Sequence, residues 1–326
     1  MKTASKVFLV SGTAVTVAAV AGVSHGITKT MMRVALDRNI PGIFKNSERA
    51  QKQLLGSKGN AEIENKIRGC SEILRALPHE TVEIRARDGE RLVGHWFACN
   101  GAKRTVIAMH GWRSSWAFDF GAMHEFFRSN QCNVLYPEQR AHGNSGGEYL
   151  GFGLLERYDC RQWIDWVNRT VVKAVPIYLQ GISMGASTVL MTADLDLPEN
   201  VRGIVADCGF TSPQAIWMHV AGNNLGLSTG IRAKVADGIC RKKLKMSGSS
   251  HSAVKSMSSC KVPVLFIHGA DDHFVPVQMT YENYLACAAP KRLLIVPGAD
   301  HGLSYYAERE RYEEEVTRFW KENDKA

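Results

Sequence analysis

Three serines in the chain occupy the pattern G-x-S-x-G, which can present a hydroxyl as an acyl-transfer nucleophile. They are Ser145 in Gly143-Asn144-Ser145-Gly146-Gly147, Ser183 in Gly181-Ile182-Ser183-Met184-Gly185, and Ser228 in Gly226-Leu227-Ser228-Thr229-Gly230. Glycine and serine are common here, so the pattern by itself separates none of them. A serine hydroxyl is a poor nucleophile until a base takes its proton and an acid orients that base. Where a strand turns sharply into a helix at the serine, the acid follows later in the chain and the histidine later still, on loops after late strands. Two loops fit that order. Val264 to Ile267 runs into His268-Gly269-Ala270-Asp271-Asp272-His273-Phe274-Val275-Pro276, and Leu293 to Val296 runs into Pro297-Gly298-Ala299-Asp300-His301-Gly302.

The elements that must position these groups are legible as periodicities. Thr81 to Arg87 alternates, Asp88-Gly89 turns, and Arg91 to Ala98 alternates again, the pattern of a β-hairpin. Continuous apolar runs then follow at Thr105–Met109, Asn133–Tyr136, Pro176–Leu179, Val201–Ala206, Val262–Ile267 and Arg292–Val296. Runs of that kind suit strands buried on both faces of a parallel sheet, and helical stretches such as Leu154–Asn168 and Ala186–Ala193 separate them. The expected fold is α/β: a mostly parallel sheet opened by an antiparallel hairpin, with helices on both faces. Only Ser183 sits between a strand and a helix. Ser145 lies well past its strand with no helix behind it, and Ser228 lies inside an insertion, so Ser183 is the expected nucleophile.

Residues 80–320 resemble an alpha/beta hydrolase of the serine esterase and peptidase-like superfamily, and most of all its membrane-anchored bacterial members. The resemblance rests on His268 to Pro276 as H-G-x-x-D-x-x-V-P, on Gly298 to Gly302 as G-x-x-H-G, and on His110-Gly111-Trp112 as the H-G-x loop after an early strand. It implies Asp272 as catalytic acid, His301 as base, and the Trp112 and Met184 N–H groups as an oxyanion hole. Asp271 and Asp207 are competing candidates for the acid, Asp207 otherwise capping the turn after its strand. Asp300 reads as a loop-stabilising residue, and His110 and His268 as structural hydrogen-bonding histidines. The loop Arg140 to Ser145 also matches a family loop bordering the site, with Arg140 as its anchor. The expected reaction is cleavage of a carboxylic ester on a small-molecule acyl substrate. Thioester, amide or peptide cleavage is the alternative within the same chemistry, and a non-catalytic anchored binding protein the alternative outside it.

Of the 326 residues, 45% are hydrophobic and 22% charged, which excludes a disordered chain. The formal charge of +8 is spread among acidic residues, so no nucleic-acid partner is expected. Its one dense run, Arg241-Lys242-Lys243-Leu244-Lys245, reads as a solvated helix face or, alternatively, as a surface for anionic headgroups. The eight cysteines have no C-x-x-C spacing, and neither a disulfide framework nor a metal or cofactor is expected. Val7 to Ser24 carries no charge, and the first segment, residues 1–27, is expected to be a membrane anchor on either side of the membrane, or a signal segment cleaved near Ala21 with the protein secreted. Residues 28–79 are expected to form a helical linker and 80–326 the hydrolase domain, with a helical cap inserted at about 211–260. Oligomeric state has no sequence signature here.

Overall fold

The computed structural model describes residues 25–40, 61–171, 175–224, 226 and 230–324. The apolar runs become the strands β1 (Glu80–Arg85), β2 (Arg91–Phe97), β3 (Arg104–Met109), β4 (Cys132–Glu138), β5 (Ile177–Ile182), β6 (Val201–Asp207), β7 (Val264–Gly269) and β8 (Lys291–Val296). They pair in the order β1-β2-β4-β3-β5-β6-β7-β8. The hairpin β1-β2 is antiparallel and joins β4 antiparallel. Every pairing from β4 through β3 to β8 is parallel. This is the alpha/beta-hydrolase fold.

Strands β3, β4, β5 and β7 are buried along their whole length, as expected where helices cover both faces. On one face lie a helix over residues 25–36 (α1), Glu156–Thr170 (α5) and Met184–Thr192 (α6). Ala61–Ala76 (α2), Trp116–Phe120 (α3), His124–Ser129 (α4), and Arg309–Asn323 on the C-terminal side, lie on the other. Gly94 in β2 marks a close approach: a Cβ there would sit 3.0 Å from the Trp163 ring of α5. The long interval after β6 forms the helices Pro213–His219 (α7), Gly230–Leu244 (α8) and Ala253–Met257 (α9). In α8, Arg241 and Lys242 are exposed, whereas Lys243 pairs with Asp37 beyond the end of α1 and lies over the Tyr149 ring.

The expected localisation needs correction. No helix among the described residues is long and apolar enough to cross a membrane, and Val7–Ser24 and Ala21 lie outside them. The helix over residues 25–36 leaves Lys29 and Arg33 in solvent and turns Met32, Val34 and Leu36 into the core. The apolar positions of α1 are spent on this domain, and neither membrane anchoring nor secretion follows from them.

Candidate active site

Strand β5 delivers Ser183 to a corner that few residues tolerate. Its backbone has φ 56° and ψ −116°, and α6 starts at the next residue. Such a conformation costs on the order of 1–3 kcal/mol and persists only where packing holds it. The glycines on either side explain how: a Cβ at Gly185 would overlap the Met109 carbonyl of β3, and one at Gly181 would overlap Gly185. The Ser183 N–H donates to the Asp207 carbonyl at 2.8 Å, fastening the corner to β6.

His301 reaches this corner from the loop after β8. Its Nε2 lies 2.9 Å from Ser183 Oγ and its Nδ1 lies 2.7 Å from Asp272 Oδ2. Asp272 comes from the loop after β7, where its other oxygen accepts the Phe274 and Val275 N–H groups at 2.9 and 2.8 Å. Burial opposes the imidazolium of His301, but the adjacent Asp272 carboxylate outweighs it and holds the pKa well above 6.5. Burial would likewise raise the Asp272 carboxyl, yet His301 and His268 keep it well below the usual carboxylate range. Asp271 makes no such contact; its side chain is exposed, and its N–H donates to the Ala299 carbonyl at 3.1 Å.

The bonds of the groups around this chain were not legible beforehand. His268 Nε2 also faces Asp272 Oδ2 at 3.1 Å and the Val275 carbonyl at 2.9 Å, while its Nδ1 meets Thr280 Oγ1 at 2.7 Å. Two acceptors on one side require Nε2–H, so Thr280 donates to Nδ1. Asp207 accepts from Ser304 Oγ at 2.9 Å, rather than capping the turn after its strand, and its other oxygen is buried without a partner. Burial pushes its carboxyl up to about 6. Cys208, buried behind His301 with φ 51°, has its thiol pushed up to about 11 by burial. Cys208, Asp272 and His301 are the one set of three potential metal ligands within 4.8 Å of one another among the described residues. Asp272 Oδ2 already serves two histidines, so a metal there would dismantle the His301–Ser183 geometry.

The loop after β3 closes the other side of Ser183. A Cβ at Gly111 would lie 3.5 Å from Ser183 Cβ, and Trp112, the next residue, lines the same cleft. Met184 opens α6, where unpaired N–H groups and the helix dipole favour negative charge. Asp119 holds the loop: its carboxylate accepts the Gly111 N–H at 2.6 Å and the Ser114 hydroxyl at 2.5 Å. Burial raises its pKa, with His110 opposing. His110 donates through Nδ1 to the Gly111 carbonyl at 2.9 Å and accepts the Gln139 N–H at 3.1 Å. Ser183, His301, Gly111 and Asp119 line one cleft.

The loop with the first G-x-S-x-G match is structural in its contacts. Arg140 donates to Asp159 at 2.6 Å through Nε and Nη2 and to Asp88 at 2.7 Å. His142 accepts the Arg113 N–H at 3.0 Å, and burial lowers its pKa to about 3. Asp300 accepts the His301 and His273 N–H groups at 2.8 and 3.1 Å. Ser228 lies outside the described residues.

Known proteins agree with this architecture. The family model for the alpha/beta hydrolase fold matches residues 104–238. An uncharacterized Bacillus subtilis protein, YqkD, is 27% identical over 231 residues, covering 71% of this chain and 75% of its own. The uncharacterized protein YfhR of Escherichia coli K12 is 28% identical over 229 residues, covering 68% and 73%. Among solved structures, a Pyrococcus furiosus esterase, Pf2001, superposes with a TM-score of 0.63 at 25% identity, over 76% of this chain and 92% of that one. The chain has the alpha/beta-hydrolase fold.

Proposed function

We propose that the protein is a serine hydrolase that cleaves a carboxylic ester. The observation that carries this reading is the unbroken line of hydrogen bonds from Asp272 through His301 to Ser183, ending at a serine on a strained strand-to-helix corner. His301 Nε2 takes the Ser183 proton as Oγ attacks the carbonyl carbon. The carbonyl electron pair moves to oxygen, and the Trp112 and Met184 N–H groups receive that oxyanion, a donor of this kind contributing about 3 kcal/mol. The intermediate collapses, the bond to the leaving alcohol breaks, and the alcohol takes the proton from His301. Water then repeats the sequence on the acyl-enzyme and releases the acid. Asp272 remains ionised throughout and fixes the tautomer of His301.

That the Pyrococcus neighbour is an esterase favours ester over amide or thioester. We read residues 80–326 as the hydrolase unit, with the 211–260 insertion as its cap. A fluorophosphonate probe tests the reading: covalent labelling that Ser183→Ala abolishes is expected. A folded wild-type protein that takes no label would turn the reading toward a binding protein on a hydrolase scaffold.

A further inference from the structure

A second, apolar pocket adjoins the cleft that holds Ser183. Its walls are wholly apolar, and it shares Trp112 and Phe274 with the Ser183 cleft. Those two side chains divide the cavities. The Phe274 ring lies 5.0 Å from the His301 ring, centre to centre, so the divider stands directly at the reacting groups. The far walls are unusual in origin. Ile216, Trp217 and Val220 come from the cap, whereas Met31, Val34 and Ala35 come from α1, upstream of the hydrolase sheet.

Helix α1 is tied to the same loop that borders Ser183. The last carbonyls of a helix have no intrahelical donor and need partners from elsewhere. Trp112 Nε1 donates to the Ala35 carbonyl at 2.9 Å. The Arg113 guanidinium donates to the Val34 carbonyl at 2.6 Å, to the Asp37 carbonyl at 2.5 Å and to the Arg38 carbonyl at 3.2 Å. Arg38 in turn donates to the Gly143 and Ser145 carbonyls, each at 2.6 Å. The C-terminus of α1 is thus capped in trans by the two residues after Gly111. An apolar wall held this firmly is preorganised for a ligand, which lowers the ordering cost of binding.

We infer that α1 and the cap enclose the acyl-chain site, and that the substrates are esters of apolar acyl chains longer than acetyl. This rests on the serine-hydrolase reading above. The assignment of arms follows from proton delivery. The leaving alcohol takes its proton from His301, which lines the Ser183 cleft together with Ser114 and Asp119, so the alcohol departs through that more polar cleft. The acyl chain lies on the opposite side, past Trp112 and Phe274, where no polar group has to be desolvated.

The test compares p-nitrophenyl octanoate with p-nitrophenyl acetate on the full-length protein. Wild type is expected to favour octanoate in kcat/KM. Ala35→Trp, which fills the cavity from α1, should lower the octanoate-to-acetate ratio by on the order of 100-fold, as three methylenes lose apolar surroundings. Ile216→Phe fills it from the cap and should act in the same direction if Ala35→Trp fails to fold. A folded variant that cleaves both esters with an unchanged ratio overturns the acyl-site assignment and leaves the hydrolase reading intact. A wild type that cleaves neither ester and takes no fluorophosphonate label overturns the hydrolase reading itself.

Discussion

Ser145 donates its hydroxyl to the Glu138 carbonyl at 2.5 Å, and the same oxygen accepts the Val93 N–H at 2.8 Å. The residue is buried and stitches β2 to β4 rather than facing the cleft. Ser145→Ala leaves two buried backbone groups unpaired and should cost about 1–3 kcal/mol of stability. Its fluorophosphonate labelling should persist, while Ser183→Ala loses it. A dead but folded Ser145→Ala would reverse the assignment.

Asp272→Asn should lower kcat by on the order of 10⁴-fold, because His301 then loses its orienting anion. The pH profile carries the sharper signature. His301 works as a base only when neutral, and its pKa is held well above 6.5, so activity should rise with pH through a midpoint above that value. In Asp272→Asn the midpoint should move to lower pH. An unchanged midpoint would mean that another group sets it.

Asp119→Asn should loosen the hold on Gly111 and Ser114 and so shift the loop that packs against Ser183, including the proposed oxyanion donor Trp112. Geometry that matters only in the transition state appears in kcat more than in KM. A fall in kcat of roughly 10- to 100-fold with little change in KM is expected by steady-state kinetics. A change confined to KM would place Asp119 in ground-state binding alone.

Asp207 links stability to pH. Its carboxyl rises from 3.8 to about 6 on folding, so the folded state binds this proton more tightly. The contribution to stability is complete below pH 3.8 and is lost as pH rises through about 6. Asp207→Asn, which cannot ionise, should therefore raise Tm relative to wild type more at pH about 7.5 than at pH about 5. Equal shifts at both values would contradict the burial of an ionising carboxyl there.

Arg140 and Asp159 form a buried ion pair at 2.6 Å. Arg140→Met strands the Asp159 carboxylate and should cost about 3–5 kcal/mol in denaturant unfolding. Replacing both partners with apolar residues should recover much of that loss. If the double variant is no better than the single, packing of the Arg140 stem carries the cost instead.

The sheet was legible because its strands are continuous apolar runs and because Asp88-Gly89 closes the opening hairpin. Ser183 stood out for a similar local reason: one strand, one corner and one helix lie within a few residues of it. Asp272 and His301 were placed through motif likeness, and the structure brings both to Ser183. The bond from His268 to Asp272 left no trace, since it depends on how two side chains turn within one loop. Nor did the place of α1. Arg113 meets Val34 across 79 residues of chain, and a guanidinium that caps a distant helix has no local spacing. Lys29 and Arg33 give no clue either, because basic residues on the exposed face of a docked helix carry no local mark of the packing behind them.

The trans cap on α1 has a kinetic counterpart. Arg113 is held on one side by α1 carbonyls and on the other by His142, through its N–H, so three segments distant in sequence meet at one residue. None of the three can open to solvent without stranding buried donors or acceptors in another. Residues 33–38, 110–114 and 140–147 should therefore exchange their amide hydrogens as one cooperative unit rather than as three independent loops.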